Sequence, residues 1–323
     1  MHTHLIGGCQ MIDRRGHESD SQSSIMRMIL KHAPLVAAVL LAATACWGGQ
    51  PATESDPASA SDRLVATTSI WADITSQVAC GEQVVAIIPP GADPHSFEPS
   101  LRDRQTLEKA AVVVANGNGL ESSLADLLTT IADRGVKVVE MTGPVELVDD
   151  DPHIWQDPSI VADALSSIAD AVIAAGRDES TIRVCASDYR AQLIALDHEL
   201  TQLLANIPLD DRVLVTSHDS LEYFARRYDL EVVGAVIPST NTMAETNSAD
   251  LARLADLIEA KGVTTIFTEQ LESTADAEAL AARLDITVVS LITDALSDDP
   301  PGDTYIAMLR SNAEAIAAAL GGS

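Results

Sequence analysis

Three histidines and one aspartate stand in turn-forming segments, each directly after an apolar run or a turn. The histidines are His95, His153 and His218, in the segments PPGADPHSFEPS, DPHIWQDP and TSHD, and the aspartate is Asp294. Imidazole is a favoured ligand for zinc, copper, iron and nickel, and a carboxylate can complete the set. Each histidine alone would more often be a solvated loop residue, and Asp294 is one of 48 acidic residues. The four together predict a metal site.

The elements that must position these residues alternate between short apolar runs and helical segments, which is typical of parallel α/β sheets. Two sets of strands are predicted, over residues 64–67, 84–88, 111–115 and 136–139, then over 213–215, 232–236, 263–267 and 286–291. Helices predicted over 160–174 and 182–204 separate the two sets, and the second has leucines every three or four residues. Ligands of open α/β sheets bind at the carboxyl ends of the strands. We therefore expect two α/β lobes that flank a long helical middle, with the metal site in the cleft between them.

The composition limits the classes of partner. The chain has 323 residues, 46% of them hydrophobic, and 20 basic against 48 acidic residues give a formal net charge of −28. So acidic a surface excludes nucleic acid and anionic lipid headgroups as partners, because both are bound through Lys and Arg. The same charge attracts cations.

The N-terminal region has the pattern of a secretory signal. Arg27 and Lys31 precede an apolar run over residues 33–45, which is too short to span a bilayer. The small residues before Cys46 resemble a bacterial lipobox, in which this cysteine is lipidated and becomes the mature N-terminus, although Ala43 stands where the pattern usually has Leu. The alternative is an ordinary cleaved signal and a periplasmic or secreted protein. Either way we expect an extracytoplasmic protein.

The predicted organisation has six parts. They are an upstream artefact over 1–25, with the true start at Met26 or Met28, a signal peptide over 26–45, a small-residue tether over 46–62, an N-terminal α/β lobe over 63–178, a linking helix over 179–207 and a C-terminal α/β lobe over 208–323.

Several segments together resemble one family, the bacterial metal-binding lipoproteins that deliver zinc or manganese to ABC importers. PPGADPHSFEPS and DPHIWQDP are the most specific, and NGNGLE, TSHDSLEYFARRYDL and TIFTEQ follow the family's order. The resemblance implies two α/β lobes joined by a long helix and His95, His153, His218 and Asp294 as the ligands of a buried metal. It also implies an importer permease and its ATPase as partners, and a solute-binding protein, expected as a monomer, that is not an enzyme.

The third ligand position discriminates between metals. Family members that bind manganese commonly have glutamate where this chain has His218, and three imidazoles with one carboxylate suit four-coordinate Zn²⁺. Many zinc members also carry a His-rich loop before the second histidine, and residues 143–151 contain no histidine. Manganese, or iron, therefore stays as the alternative metal.

Further acidic and histidine residues receive secondary roles. Glu269 is expected to accept the free N–H of a histidine ligand, although a ligand role is open. Asp93 and Asp157 would cap their loops or orient imidazoles. His198 is expected to face solvent, as are the three aspartates 149–151.

Cys80 and Cys185 form an even pair in an oxidising compartment, which favours a disulfide between the first lobe and the long helix. Two buried free thiols are the alternative.

Two other functions stay open at this stage. A secreted zinc hydrolase could use His95, His153 and His218 as a ligand triad, with Asp294 or Glu269 as general base. The sequence has no His-Glu-x-x-His helix, Gly-x-Ser-x-Gly elbow or phosphate-binding glycine loop to support it. A surface adhesin that merely retains a metal is the other alternative.

Overall fold

Two parallel sheets of four strands each form the frame of the protein, as the alternating apolar pattern predicts. The computed structural model describes residues 62–271 and 274–321, which belong to the unit Glu54–Ser323. The upstream segment 1–25, the signal peptide 26–45, Cys46 and all but the last residue of the tether lie outside the described residues. Among the described residues, no helix has the length and apolar character needed to cross a membrane.

The first sheet has the strand order β2-β1-β3-β4, and every neighbouring pair is parallel. β1 is buried along its whole length because helices cover both faces of the sheet. The strands and helices of this lobe are β1 Leu64–Thr68, α1 Ser69–Val78, β2 Val84–Ile88, α2 Leu101–Glu108, β3 Val112–Ala115, α3 Ala125–Asp133 and β4 Lys137–Glu140.

The second sheet repeats this arrangement with the order β6-β5-β7-β8, again all parallel. Its elements are β5 Val213–His218, α6 Glu222–Arg227, β6 Glu231–Ile237, α7 Ser248–Lys261, β7 Thr265–Glu269, α8 Ala275–Leu284 and β8 Thr287–Leu291. In both sheets the second strand of the lobe pairs with one edge of the first strand, and the third strand pairs with the other edge of the first strand. This reversal opens a crevice at the carboxyl ends of the strands.

Three helices connect and cover the lobes: α4 Pro158–Ala174, α5 Glu179–Leu204 and α9 Tyr305–Leu320. Asp157 caps α4 and Asp178 caps α5, each through a side-chain oxygen that accepts a backbone N–H of the first turn. Leu193, Leu196 and Leu200 of α5 lie in the same buried apolar cluster as Trp71 of the first lobe and Phe224 of the second. The predicted fold class, two parallel α/β lobes, is confirmed, whereas the domain boundaries stay predictions.

Two predicted elements differ near the site. The strand predicted to end at residue 215 continues through His218, because its last three residues are polar but buried in the crevice. The pattern of residues 120–132 also predicts a helix, but this segment begins as the 3₁₀ turn Ser122–Leu124, after which α3 starts. Hydropathy cannot find either boundary, since it does not distinguish buried polar residues from loop residues.

The structure joins Cys80 to Cys185 in a disulfide with a Cα–Cα distance of 5.4 Å. Cys80 follows α1 and Cys185 lies in the second turn of α5, so the bond ties the first lobe to the long helix. The sequence left a disulfide and two buried free thiols as alternatives, and the structure contains the disulfide.

Candidate metal centre

His95 is held in the loop that follows β2. Asp93 Oδ1 accepts the backbone N–H of His95 at 2.9 Å, and Asp93 Oδ2 accepts the Ser96 hydroxyl at 2.7 Å. The same Oδ2 accepts the hydroxyl of Thr242, a residue of the second lobe, at 2.9 Å. Asp93 therefore caps the loop, as predicted, and ties it to the second lobe, while the His95 side chain is buried.

His153 belongs to a second Asp-Pro-His triplet, in the segment after β4. Asp151 Oδ1 accepts the backbone N–H of His153 at 2.9 Å and lies 2.5 Å from its ring Nδ1. This contact orients the ring so that Nε2 points away from Asp151. The expectation that all three aspartates 149–151 face solvent is wrong for Asp151, which is 3% exposed. Its carboxylate is buried because it contacts the backbone N–H and the ring of His153.

Asn116, in the glycine-rich turn after β3, is hydrogen-bonded to the His153 segment. Its side-chain amide donates to the carbonyl of Pro152 at 3.0 Å, and its Oδ1 accepts the Trp71 indole N–H at 2.9 Å. The next residue, Gly117, has φ +88°, and a Cβ there would lie 2.6 Å from Thr142 Oγ1. Only glycine fits this turn. The NGNGLE motif is therefore a structural support of the site, a role that the sequence did not reveal.

His218 is the last residue of β5 and faces the end of β7. Its Nδ1 lies 2.7 Å from Glu269 Oε1, which also accepts the hydroxyl of Ser220 at 2.7 Å. The hydroxyl of Thr293 donates to Glu269 Oε2. Glu269 thus has the geometry predicted for an acceptor of a histidine N–H. Because Glu269 contacts the Nδ1 of His218, the Nε2 of the same ring is left to face the cleft.

Asp294 follows β8, but its loop is bonded mainly to the first lobe. The Trp155 indole N–H donates to the carbonyl of Thr293 at 2.8 Å. The Leu296 N–H donates to Ser69 Oγ at 3.0 Å, and the Leu296 carbonyl accepts the Gly91 N–H at 2.8 Å. The fourth predicted ligand is therefore positioned by both halves of the protein.

The structure brings the four predicted ligands together. The Nε2 atoms of His95 and His153, and those of His153 and His218, are each 3.4 Å apart. Asp294 Oδ2 lies 3.4 Å from the Nε2 of His95 and 3.5 Å from that of His218. One ligand atom from each residue lies within 4.8 Å of all the others, and all four residues are buried. Four donor atoms at this spacing can surround one small cation.

Comparison with known proteins identifies the family. The family described as ZnuA, zinc-uptake complex component A, periplasmic, matches residues 64–319. The chain belongs to this family. Its relatives include the zinc-binding protein TroA of Treponema pallidum, 30% identical over 80% of this chain and 88% of TroA, and the manganese ABC transporter substrate-binding lipoprotein PsaA of Streptococcus pneumoniae, 28% identical over 91% and 99%.

The fold agrees with this membership. A solved structure of TroA from Treponema pallidum superposes with a TM-score of 0.73, covering 80% of this chain and 98% of TroA at 26% identity. The ZnuA family is made of substrate-binding components of ABC transporters, which are not enzymes. The prediction of a non-enzymatic protein is thereby confirmed, and the hydrolase alternative is wrong.

Three buried carboxylates set the charge of the centre in this ZnuA-family chain. Burial would raise the pKa of the Asp294 carboxyl, but the nearby imidazoles of His218, His95 and His153 outweigh it and hold that pKa well below its usual range. Asp151 and Glu269 add two more carboxylates against the backs of His153 and His218. The surroundings of the four donor atoms are thus suited to a cation.

The two Asp-Pro-His triplets contain a signal that the sequence analysis overlooked. In both, the aspartate accepts the backbone N–H of the histidine two residues later. Only Asp151 also reaches the histidine ring, whereas the Nδ1 of His95 is buried and has no hydrogen-bond partner among the residues that the structure describes. The repeated triplet could have predicted the turn but not which aspartate contacts a ring.

Replacing Glu269 by glutamine is expected to weaken metal binding by about 10- to 100-fold, the usual effect of removing the carboxylate behind a ligating histidine. The amide keeps the shape but loses one acceptor and the negative charge. Competition with a chelator of known affinity measures the change. Glu231→Gln, an exposed position at the start of β6, is the control, and equal affinities of the two variants would contradict the role of Glu269.

Proposed function

We propose that this protein captures a divalent transition metal outside the cytoplasm and delivers it to an ABC importer, and that this metal is zinc. His95, His153 and His218 bind the ion through their Nε2 atoms, and Asp294 binds it through its carboxylate. The observation that carries the proposal is the spacing of the ligand atoms: four of the distances are between 3.4 and 3.5 Å, and His153 Nε2 lies 3.8 Å from Asp294 Oδ1. A tetrahedral zinc with bonds of about 2.0 to 2.1 Å needs its ligand atoms about 3.3 Å apart.

The donor chemistry favours zinc over manganese. Three imidazole nitrogens and one carboxylate form a borderline-soft set, and manganese prefers more oxygen ligands. Relatives of both kinds, TroA for zinc and PsaA for manganese, match this chain at similar identity, so relatedness does not choose between the metals. The ligand set is therefore the support for zinc.

The importer permease and its ATPase are the proposed partners. All four ligands come from one chain, so a single copy can hold the metal. We expect the protein to act as a monomer whose loaded form docks on the permease. Lipidated Cys46 anchors it to the outer face of the cell membrane, and residues 47–62 form the tether. The intact mass of the mature protein tests the lipid.

Calorimetric titration of the metal-free protein tests the metal. We expect one equivalent of Zn²⁺ to bind more tightly than Mn²⁺, with an affinity that falls as the pH drops through the histidine range, because protons compete for the same nitrogens. X-ray absorption should give three nitrogen ligands and one carboxylate at the zinc. A protein that binds no zinc, or binds Mn²⁺ more tightly, would contradict the assignment.

A further inference from the structure

Thr293 directly precedes Asp294, and its carbonyl connects that residue with His153. The carbonyl accepts the Trp155 indole N–H at 2.8 Å, and the Gln156 side-chain amide makes a longer contact of 3.4 Å with the same oxygen. The Trp155 ring in turn packs against the His153 ring, with 5.1 Å between the ring centroids and 67° between the ring planes. A shift of Trp155 would therefore disturb two of the proposed ligands together, one from each lobe.

The hydroxyl of Thr293 connects the same loop with His218. It donates to Glu269 Oε2, while Glu269 Oε1 lies 2.7 Å from the Nδ1 of His218. Thr293 and Glu269 are each 3% exposed, so water competes little for these bonds. A continuous network of contacts thus runs behind His153, His218 and Asp294, and Thr293 lies at its centre.

Helix α9 holds both partners of the bond between Trp155 and Thr293. Tyr305, the first residue of α9, donates its hydroxyl to the Trp155 carbonyl at 2.6 Å. Asn312, about two turns later, donates to the Ile292 carbonyl at 2.6 Å and accepts the Ile292 N–H at 2.9 Å. One rigid helix therefore fixes the residue before Thr293 as well as the tryptophan that contacts it.

We propose that Trp155 and Thr293 are positioning residues, which hold His153, His218 and Asp294 in the mutual geometry that the metal requires. Neither of the two residues belongs to the four-ligand cluster. The inference rests on the proposed function and adds the means by which ligands from two lobes keep fixed distances. Such a site must be held to within about 0.5 Å by residues that are themselves locked by packing and hydrogen bonds.

Thr293→Val tests the network, because valine keeps the shape of the side chain but removes the hydroxyl. We expect it to weaken Zn²⁺ binding about tenfold, since the Asp294 loop loses its bond to Glu269. Competition with a chelator measures the dissociation constant. The matched control is Thr265→Val, at the other end of β7 from Glu269, where a buried threonine shares a hydrogen bond of 2.9 Å with the Thr287 hydroxyl. We expect the control to bind zinc with wild-type affinity.

Trp155→Phe, alone and combined with Thr293→Val, tests whether the two residues act as one unit. Phenylalanine keeps an aromatic ring but removes the indole N–H, and we expect about a tenfold loss of zinc affinity. The double variant should lose less than the product of the two single losses, because residues of one hydrogen-bond network are not additive. X-ray absorption of the zinc-loaded Trp155→Phe protein should show a weaker carboxylate contribution, which a loss of stability alone would not produce.

The contrary results have distinct meanings. Equal zinc affinities of Thr293→Val and Thr265→Val would overturn the positioning role, as would single losses that simply multiply in the double variant. Wild-type affinity and unaltered zinc coordination in Trp155→Phe would also overturn it. A wild-type protein that binds no zinc would instead defeat the proposed function. If Trp155→Phe does not fold, the two valine variants still test the proposal.

Discussion

Replacing His153 by alanine is expected to weaken zinc binding by more than about a hundredfold. Loss of a residue behind a ligand already costs about 10- to 100-fold, and His153 is proposed as a ligand itself. Its Nε2 lies 3.4 Å from both other imidazole Nε2 atoms, so its removal opens the middle of the cluster. The substitution also leaves Asp151 buried without the ring that its Oδ1 contacts.

Calorimetry and chelator competition measure this loss. His198→Ala is the matched control, because His198 is exposed on α5, as the sequence predicted, and removes the same side chain from a position away from the cluster. Circular dichroism of both metal-free variants checks that they fold. An unchanged dissociation constant for His153→Ala would contradict the proposed ligand set, and an equal loss for His198→Ala would indicate a nonspecific effect.

Removing the disulfide with Cys80→Ser/Cys185→Ser is expected to lower the free energy of unfolding by about 2 to 4 kcal/mol. The bond closes a loop between residues 105 apart in the chain, and it restricts the unfolded ensemble accordingly. The chain-entropy model gives about 4.7 kcal/mol for a loop of 100 residues and commonly overestimates the measured effect. Urea unfolding of the oxidised wild type and the double serine variant, both without metal, measures the difference.

The same variant should bind zinc with nearly unchanged affinity. α1 begins at the carboxyl end of β1, beside the cluster, and Cys80 follows the other end of α1. The disulfide therefore lies toward the amino ends of the strands, away from the ligands. Equal unfolding free energies with and without the bond would contradict its stabilising role. A large loss of zinc affinity would contradict the separation of the bond from the site.

The alternation of apolar runs with helical segments was sufficient to predict both sheets, because a parallel sheet covered on two faces needs continuous apolar strands. The prediction failed where buried residues are polar. β5 continues through Thr216, Ser217 and His218, and Asp151 is buried beside His153. Both lie at the crevice, where hydrogen bonds and imidazole contacts replace apolar packing.

The amino-acid sequence was enough to predict the two α/β lobes, the types of the four candidate ligands and their placement after strands or turns. The folded chain was needed to see that these ligands lie within 4.8 Å of one another, that Asp151 contacts His153, and that Glu269 contacts His218. It was also needed to see that Trp155 of the first lobe holds the Asp294 loop. The physical reason is that local patterns fix the period and burial of an element, whereas distances between residues remote in the chain depend on strand register and on how the lobes pack.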